Sequence, residues 1–307
     1  MTTLLLTHRA SLDHLTPPGH PERPDRIRAV DEVLGEGRFD ALVRGEAPEG
    51  SLDLVTLCHD GHYVEELRHV APTSGMIYLD GDTAMSPGTW EAVMRGVGGA
   101  VAATDAVMAG KHSNAFVAMR PPGHHAEINK PMGFCFFDHA AIAARHAQRK
   151  YGIGRAAIVD FDVHHGNGTQ DIFWDDPRVL YASSHQFPLY PGTGARNETG
   201  AGNIVNAPLP PGAGSKEFRA AYETIVLPAL DAFAPQLILI SAGFDAHRLD
   251  PLANLNLDAD DYAWVTARLV EIAGRHAQGR IVSSLEGGYS LTALRESVGA
   301  HVAALLA

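Results

Sequence analysis

Four short segments of the chain end an apolar run with side chains that can bind a metal ion or move a proton. Ligands of open parallel α/β sheets bind beyond the carboxyl ends of the strands, so residues at several such ends meet in one pocket. Carboxylate and imidazole groups beside acid–base groups indicate a catalytic zinc site. In chain order, the segments end with His124 and His125, with Asp160, Asp162 and His164, with Asp245, and with Glu286 and Tyr289.

Asp162 and His164 stand two residues apart, and Asp245 closes a separate apolar run. Because side chains alternate faces along a β-strand, Asp160, Asp162 and His164 are predicted to point the same way. Asp162, His164 and Asp245 together supply the three protein ligands of a catalytic zinc, which leaves a position to water and substrate. An isolated Asp-x-His pattern more often ends a strand in a polar loop. The second aspartate and the histidine pair favour the metal.

Asp160 lies deeper in its predicted strand, directly after Val159. A buried carboxylate at that position is costly unless it is paired or bound to a cation. Pairing with a histidine would satisfy the Asp160 carboxylate. A structural potassium ion, coordinated by Asp160, backbone carbonyls and the Ser183 hydroxyl, is the alternative.

The rigid Pro-Pro-Gly turn places two adjacent histidines, His124 and His125. Hydrolysis of an amide by a metal-activated water needs a base for the water and an acid for the departing amine, and histidine can serve as both. Asp160 and Asn167 are predicted to orient the two rings. An anion holds one imidazole charged, and a neutral amide leaves the other free to change state. This asymmetry favours His125 as the proton shuttle and His124 as an electrostatic aid, with the reverse assignment left open.

Tyr289 follows the flexible stretch Glu286-Gly-Gly, which lets its hydroxyl approach the metal. The phenol is predicted to stabilise the oxyanion that develops opposite the zinc. A tyrosine that only packs against a loop is the alternative.

Apolar runs typical of strands alternate with segments typical of helices, which predicts an α/β fold with a mostly parallel sheet and helices on both faces. Ser215 and Asp258 suit helix N-caps, and Gly110 and Gly152 suit helix ends. The segment 183–214 is predicted to be one long loop lining the site. The predicted strands are 4–6, 116–119, 156–159, 179–182, 237–240 and 281–285; the predicted helices are 24–34, 62–70, 89–109, 138–150, 215–233, 259–275 and 291–305.

The bulk composition is that of one globular domain spanning residues 1–307. Its formal charge of 24 − 36 = −12 argues against a nucleic-acid or anionic-membrane partner. Two cysteines make no disulfide framework, and no apolar stretch approaches the roughly 18 residues that span a bilayer. We therefore expect a cytoplasmic protein, and a homo-oligomer is compatible with this composition.

Together these segments resemble the zinc-dependent histone deacetylase family, which includes histone deacetylase-like and acetylpolyamine amidohydrolases. The similarity runs from Gly19 to Tyr289, and Asn167 resembles class II members because class I enzymes usually carry Asp there. The resemblance implies a single-domain arginase/deacetylase-like fold and one zinc ion per chain. The implied ligands are Asp162, His164 and Asp245, the implied tandem histidines are His124 and His125, and the implied transition-state tyrosine is Tyr289.

The same resemblance implies a channel for the substrate's acyl chain. Phe134, after Gly133, would line one wall, and Tyr190, before Pro-Gly-Thr-Gly, would line the other. Leu252 stands at the gatekeeper position near the rim, where polyamine-selective relatives often carry an acid. Arg26 matches an arginine near an internal cavity below the zinc, although a salt bridge at a helix start explains it equally well.

The sequence therefore predicts a zinc-dependent amidohydrolase that removes acetyl or acyl groups from acyl-lysine peptides or related amides. An acetylpolyamine deacetylase and a hydrolase of small amides are alternatives within that class. A non-catalytic module that binds acetylated ligands is disfavoured because every predicted ligand and the tyrosine are retained. The related two-manganese arginases need a carboxylate where this chain has Gly166, which argues for a single metal.

Overall fold

The computed structural model describes residues 2–307, whose main feature is one sheet of eight strands, all parallel. Its strand order is β2-β1-β5-β10-β9-β6-β7-β8. The four strands that precede the chemically active segments, β5, β10, β9 and β6, are consecutive neighbours at the centre of the sheet. The strands are β1 Thr3–Thr7, β2 Val43–Glu46, β5 Asn114–Val117, β6 Ala156–Asp160, β7 Val179–Gln186, β8 Ile204–Leu209, β9 Leu237–Ala242 and β10 Ile281–Leu285, with β3 Ile77–Tyr78 and β4 Ala84–Met85 forming a separate antiparallel pair.

Helices cover both faces of the sheet and bury two apolar clusters. One cluster contains Val30, Leu269 and Val298; the other contains Val97 and Ile142. The predicted α/β fold is therefore confirmed. The helices are α1 Ala10–Asp13, α2 Asp25–Leu34, α3 Leu52–Val55, α4 Gly61–Val70, α5 Thr89–Met108, α6 His139–Tyr151, α7 Asn167–Phe173, α8 Ser215–Ala221, α9 Leu227–Phe233, α10 Ala259–His276 and α11 Leu291–Leu306.

Helix ends agree with the predicted caps at three of four positions. Asp258 caps α10 in a reciprocal box with Asp261. Gly152 ends α6 in the left-handed conformation, φ 64°, and Gly110 adopts φ 69° just after α5. Ser215 is not the N-cap of α8, because Gly214 occupies that position and Ser215 is the first helical residue. The Ser215 hydroxyl instead donates to Asp261 at 2.6 Å.

Three predictions of local structure were wrong. The segment 183–214 is not one loop, because β7 continues to Gln186 and β8 begins at Ile204. Their polar residues are buried and hydrogen-bonded, which an apolar pattern does not reveal. The predicted helix 215–233 is divided by a π-turn at Tyr222–Val226, with Pro228 opening α9. The strand predicted at 116–119 lies two residues earlier, at Asn114–Val117.

Among residues 2–307, no helix combines the length and apolar character needed to cross a membrane.

Candidate active site

Asp162, His164 and Asp245 meet at the carboxyl edge of the sheet, and one donor atom from each lies within 4.8 Å of the others. Nδ1 of His164 is 3.0 Å from Oδ1 of Asp162 and 3.2 Å from Oδ2 of Asp245. All three side chains are buried. A set of two carboxylates and one imidazole nitrogen is a donor set that zinc accepts.

Strand alternation does not place these residues, because β6 ends at Asp160. Two successive turns do. The Asp160 carboxylate accepts from the backbone N–H of Asp162 at 3.0 Å, and the Asp162 carboxylate accepts from that of His164 at 2.9 Å. The predicted convergence is observed, but it arises from aspartate side chains that bond the backbone two residues on.

Two glycines pack their backbone directly against the carboxylates of Asp162 and Asp245. A Cβ at Gly243 would overlap the Asp162 carboxylate, and one at Gly287 would overlap that of Asp245. The N–H of Gly287 also donates to Asp162 at 2.8 Å. Burial and the neighbouring Asp162 raise the pKa of Asp245. Two adjacent buried anions of this kind are satisfied by a divalent cation, so the residues fit the metal that the sequence predicts.

The tandem histidines have partners of different charge. Nδ1 of His124 lies 2.9 Å from the Asp160 carboxylate, whereas Nδ1 of His125 lies 2.8 Å from the amide oxygen of Asn167. Burial alone would lower the pKa of His124, but the carboxylates of Asp160 and Asp162 outweigh it and raise that pKa well above its ordinary value. Burial, together with the charge of His124, holds the pKa of His125 well below its ordinary value.

Gly133 fits against the ring of His125, where a Cβ would lie 2.5 Å from Cδ2. Its φ of 56° is in the left-handed region that favours glycine. The position therefore brings backbone close to His125 and turns the chain toward Phe134.

Asp160 finds its partners within the protein. Besides His124, its carboxylate accepts from the Tyr181 hydroxyl at 3.0 Å, a residue that sequence reasoning missed. Ser183 is its register partner on β7, but the Ser183 hydroxyl bonds Nδ1 of His185 at 2.9 Å. The potassium ion coordinated by Asp160 and Ser183 stays a prediction.

Tyr289 is held through its own backbone and its ring. Its N–H donates to Asp250 at 2.7 Å, and the guanidinium carbon of Arg26 lies 5.0 Å from the ring centre. Arg26 is fully buried and donates to the carbonyls of Gly288, at 2.6 Å, and Glu286. It also forms the predicted kind of helix-start salt bridge, with Glu22 at 3.1 Å. Arg26 thus fixes the loop that carries Tyr289, while its place beside an internal cavity stays a prediction.

The two predicted channel walls stand beside these groups. The Phe134 ring lies 5.9 Å from that of Tyr289, and the Tyr190 ring lies 5.3 Å from that of His125. Tyr190 is 40% exposed, as a residue at a channel mouth would be. Leu252 is half-buried, and its N–H donates to Asp250 at 3.1 Å.

Sequence reasoning assigned no role to several buried groups that support this centre. The Glu286 carboxylate accepts from the N–H of Gly123 at 2.7 Å and of His124 at 3.2 Å, so it fixes the turn before the tandem histidines. Burial raises the pKa of Glu286 to about 8. Glu22 is clamped by Arg120, with its two oxygens 2.6 Å from Nε and Nη2. The only available sequence signal was the position of Glu286 directly after an apolar run.

A family model described as the histone deacetylase domain matches residues 20–305, nearly the whole chain. The chain belongs to the histone deacetylase family. Within that family it is 41% identical over 298 residues to a probable deacetylase of Archaeoglobus fulgidus, covering 95% of this chain and 82% of the relative. It is 40% identical over 279 residues to the histone deacetylase-like amidohydrolase of Pseudomonas aeruginosa, covering 89% and 73% respectively.

The solved HDA15 HD domain superposes on this chain with a TM-score of 0.94 at 34% identity, covering 99% of this chain and 89% of that one. The arginase/deacetylase-like fold that the resemblance implied is confirmed. As a member of the histone deacetylase family, the chain is a hydrolase that acts on amides, with deacetylase activity.

Proposed function

We propose that this chain is a zinc-dependent amidohydrolase that removes acetyl or acyl groups from acyl-lysine peptides or related amides. The observation that carries the proposal is that Asp162, His164 and Asp245 form a buried set of metal-binding side chains beside the tandem histidines. Of these two histidines, His124 has a raised pKa and His125 has a lowered one. One centre thus combines a metal-ligand set with a charged imidazole and a neutral one. These are the groups that amide hydrolysis requires.

Asp162, His164 and Asp245 would hold one zinc ion per chain, which when bound supplies Lewis-acid activation of water and of the amide carbonyl. Gly166 supports a single ion. A Cβ there would overlap both the Asp160 carboxylate and the Tyr181 hydroxyl, so the bridging carboxylate of a two-metal centre has no room.

His125 moves the proton in this proposal. Its lowered pKa keeps the ring neutral near pH 7, so it can take a proton from the attacking water and pass it to the departing amine nitrogen. His124 keeps its charge because Asp160 and Asp162 stabilise the imidazolium. His124 therefore contributes a fixed positive charge beside the reacting carbonyl.

Tyr289 donates to the oxygen anion that develops on the carbonyl. Burial raises the pKa of Tyr289 well above its ordinary value, so the phenol keeps the proton that this role needs. Arg26 and Asp250 hold the residue by contacts that leave the hydroxyl itself to the substrate.

The channel supports an acyl-lysine substrate. Phe134 and Tyr190 offer aromatic surface to an extended aliphatic chain, and Leu252 adds apolar rather than anionic surface. An acetylpolyamine or a small amide is the second candidate, because either would deliver the same acetamide to the same groups.

A substrate panel with metal analysis tests the proposal. The purified protein would be assayed on acetyl-lysine peptides, acetylspermidine and acetylated anilides, and its zinc content measured. Hydrolysis of the peptide with about one zinc per chain supports the proposal. Protein that carries zinc but hydrolyses none of these amides contradicts it.

A further inference from the structure

Asn167 has a different partner on each side of its amide. Its oxygen faces Nδ1 of His125 at 2.8 Å, and its nitrogen faces Oε1 of Glu127 at 2.7 Å. Two weaker acceptors also lie near that nitrogen, Sδ of Met132 at 3.3 Å and the carbonyl oxygen of His125 at 3.5 Å. Asn167 is buried and Glu127 is half-buried.

The Glu127 carboxylate fixes which way the amide points. A carboxylate only accepts hydrogen bonds, so the NH₂ group of Asn167 must face it, and the amide oxygen must face His125. That oxygen in turn can only accept, so Nδ1 of His125 carries the proton. The lone pair is then on Nε2, the atom left to act as a base.

We propose that Glu127 is a positioning residue, the third link of a relay in which Glu127 orients Asn167 and Asn167 sets the tautomer of His125. The inference rests on the proposed function in one respect, the assignment of His125 as the proton shuttle. It adds a residue that acts on catalysis without touching the substrate.

The relay also explains why an amide, rather than a carboxylate, suits position 167. An aspartate there would place a second anion against Glu127, and Glu127 would lose the donor that Asn167 supplies. Glutamine at position 127 can donate to an aspartate at position 167, so the two positions are expected to depend on each other.

Substitution of Glu127 in the zinc-loaded enzyme tests the first link. Glu127→Ala should lower kcat on an acetyl-lysine peptide by about 10- to 100-fold, the usual range for groups that orient a functional side chain, with KM little changed. Glu127→Gln keeps an acceptor and should recover most of that loss. Equal kcat in Glu127→Ala and the wild type overturns the proposal.

Asp171 offers a matched control on the same face of α7, four residues after Asn167. Its carboxylate accepts from the N–H of Ile128 at 3.1 Å, so it anchors the same loop without reaching the amide. Asp171→Asn should leave kcat near the wild-type value. A loss as large as that of Glu127→Ala would assign the effect to the loop and overturn the relay.

A double-mutant comparison tests the charge argument. Asn167→Asp alone should lower kcat by about tenfold or more, because it faces Glu127. Adding Glu127→Gln should raise kcat again. A double variant as slow as the product of the two single effects contradicts the relay.

The tautomer of His125 can be read independently of turnover, by ¹⁵N NMR of histidine-labelled zinc protein with the resonance assigned from His125→Ala. The wild type should carry the proton on Nδ1, and Glu127→Ala should lose that preference. An inactive wild type with this tautomer shift would contradict the proposed function alone. An active wild type whose tautomer is unchanged in Glu127→Ala would overturn the relay alone.

Discussion

The carboxylate of Asp250 accepts a hydrogen bond from the backbone N–H of Tyr289 at 2.7 Å. Its other oxygen accepts from the N–H of Leu252 at 3.1 Å. One buried side chain therefore anchors both the residue proposed to bind the oxyanion and the residue proposed to set the rim. Asp250 thus links the residue proposed for catalysis to the residue proposed for substrate selection.

The hydroxyl of Tyr289 should matter to turnover more than to binding. Tyr289→Phe removes one donor and keeps the ring that packs against Phe134 and Arg26. Loss of one such donor typically lowers kcat by roughly 10²–10³-fold. Steady-state kinetics on an acetyl-lysine peptide would measure this, and unchanged kcat would make Tyr289 a packing residue.

The pH dependence should report a neutral His125. Because burial and the charge of His124 lower the pKa of His125, the ring is a competent base at neutral pH and becomes protonated only in acid. The acidic limb of kcat/KM is therefore expected below pH 6.5, the ordinary value for histidine. A limb centred above that pH contradicts the assignment. His124, with its raised pKa, stays charged through the same range.

Leu252 should set the preference between neutral and cationic substrates. Leu252→Glu is expected to shift the kcat/KM ratio toward acetylspermidine by about fivefold, since one partly exposed ion pair contributes roughly 1 kcal/mol. The shift should shrink at higher salt. If the wild type already prefers acetylspermidine, Leu252 is not the determinant. Asp80 and Asp82, two acids whose charges act on the Tyr190 phenol, would then be tested in its place.

Buried histidines should make the fold sensitive to acid. Burial lowers the pKa of His59 and His139 to about 4 and that of His301 to about 3. Below pH 6.5 the unfolded chain takes up protons that the folded chain excludes, so the free energy of unfolding falls as pH drops toward 4. Each such histidine contributes about 1.4 kcal/mol per pH unit in that window.

Urea denaturation at pH 7, 6 and 5 measures this slope, and His301 offers the matched variant. Its ring bonds Thr266 at 2.7 Å and Ser283 at 2.9 Å. His301→Gln should flatten the slope by about 1.4 kcal/mol per pH unit, whatever its effect on stability at pH 7. Identical slopes in the two proteins would show that His301 is protonated in the folded state.

Much of the centre was predictable because its residue types are chemically distinctive and follow apolar runs. Asp162, His164 and Asp245 could be selected in this way, although the turns that bring the first two together could not. Glu127 and Tyr181 were missed because each acts through contacts with residues distant in sequence. No local pattern distinguishes such residues from ordinary polar ones.

The fold, like the site, was predictable only in part. Apolar runs predicted six of the eight strands of the main sheet at least in part, whereas β8 was read as loop. Asn206 in β8 is buried and donates to Gln170 at 2.8 Å, so tertiary hydrogen bonding rather than apolar character keeps that strand inside. Sequence alone gives no sign of such a partner.

A zinc titration of the metal-free protein tests the central claim most directly. Hydrolysis of an acetyl-lysine peptide is measured as zinc is added, with Asp245→Ala as the control that lacks one ligand. The account predicts activity that rises from near zero and levels off at about one zinc ion per chain, with little response from Asp245→Ala. Full activity without added zinc in verified metal-free protein, or a plateau only at two ions per chain, would contradict it.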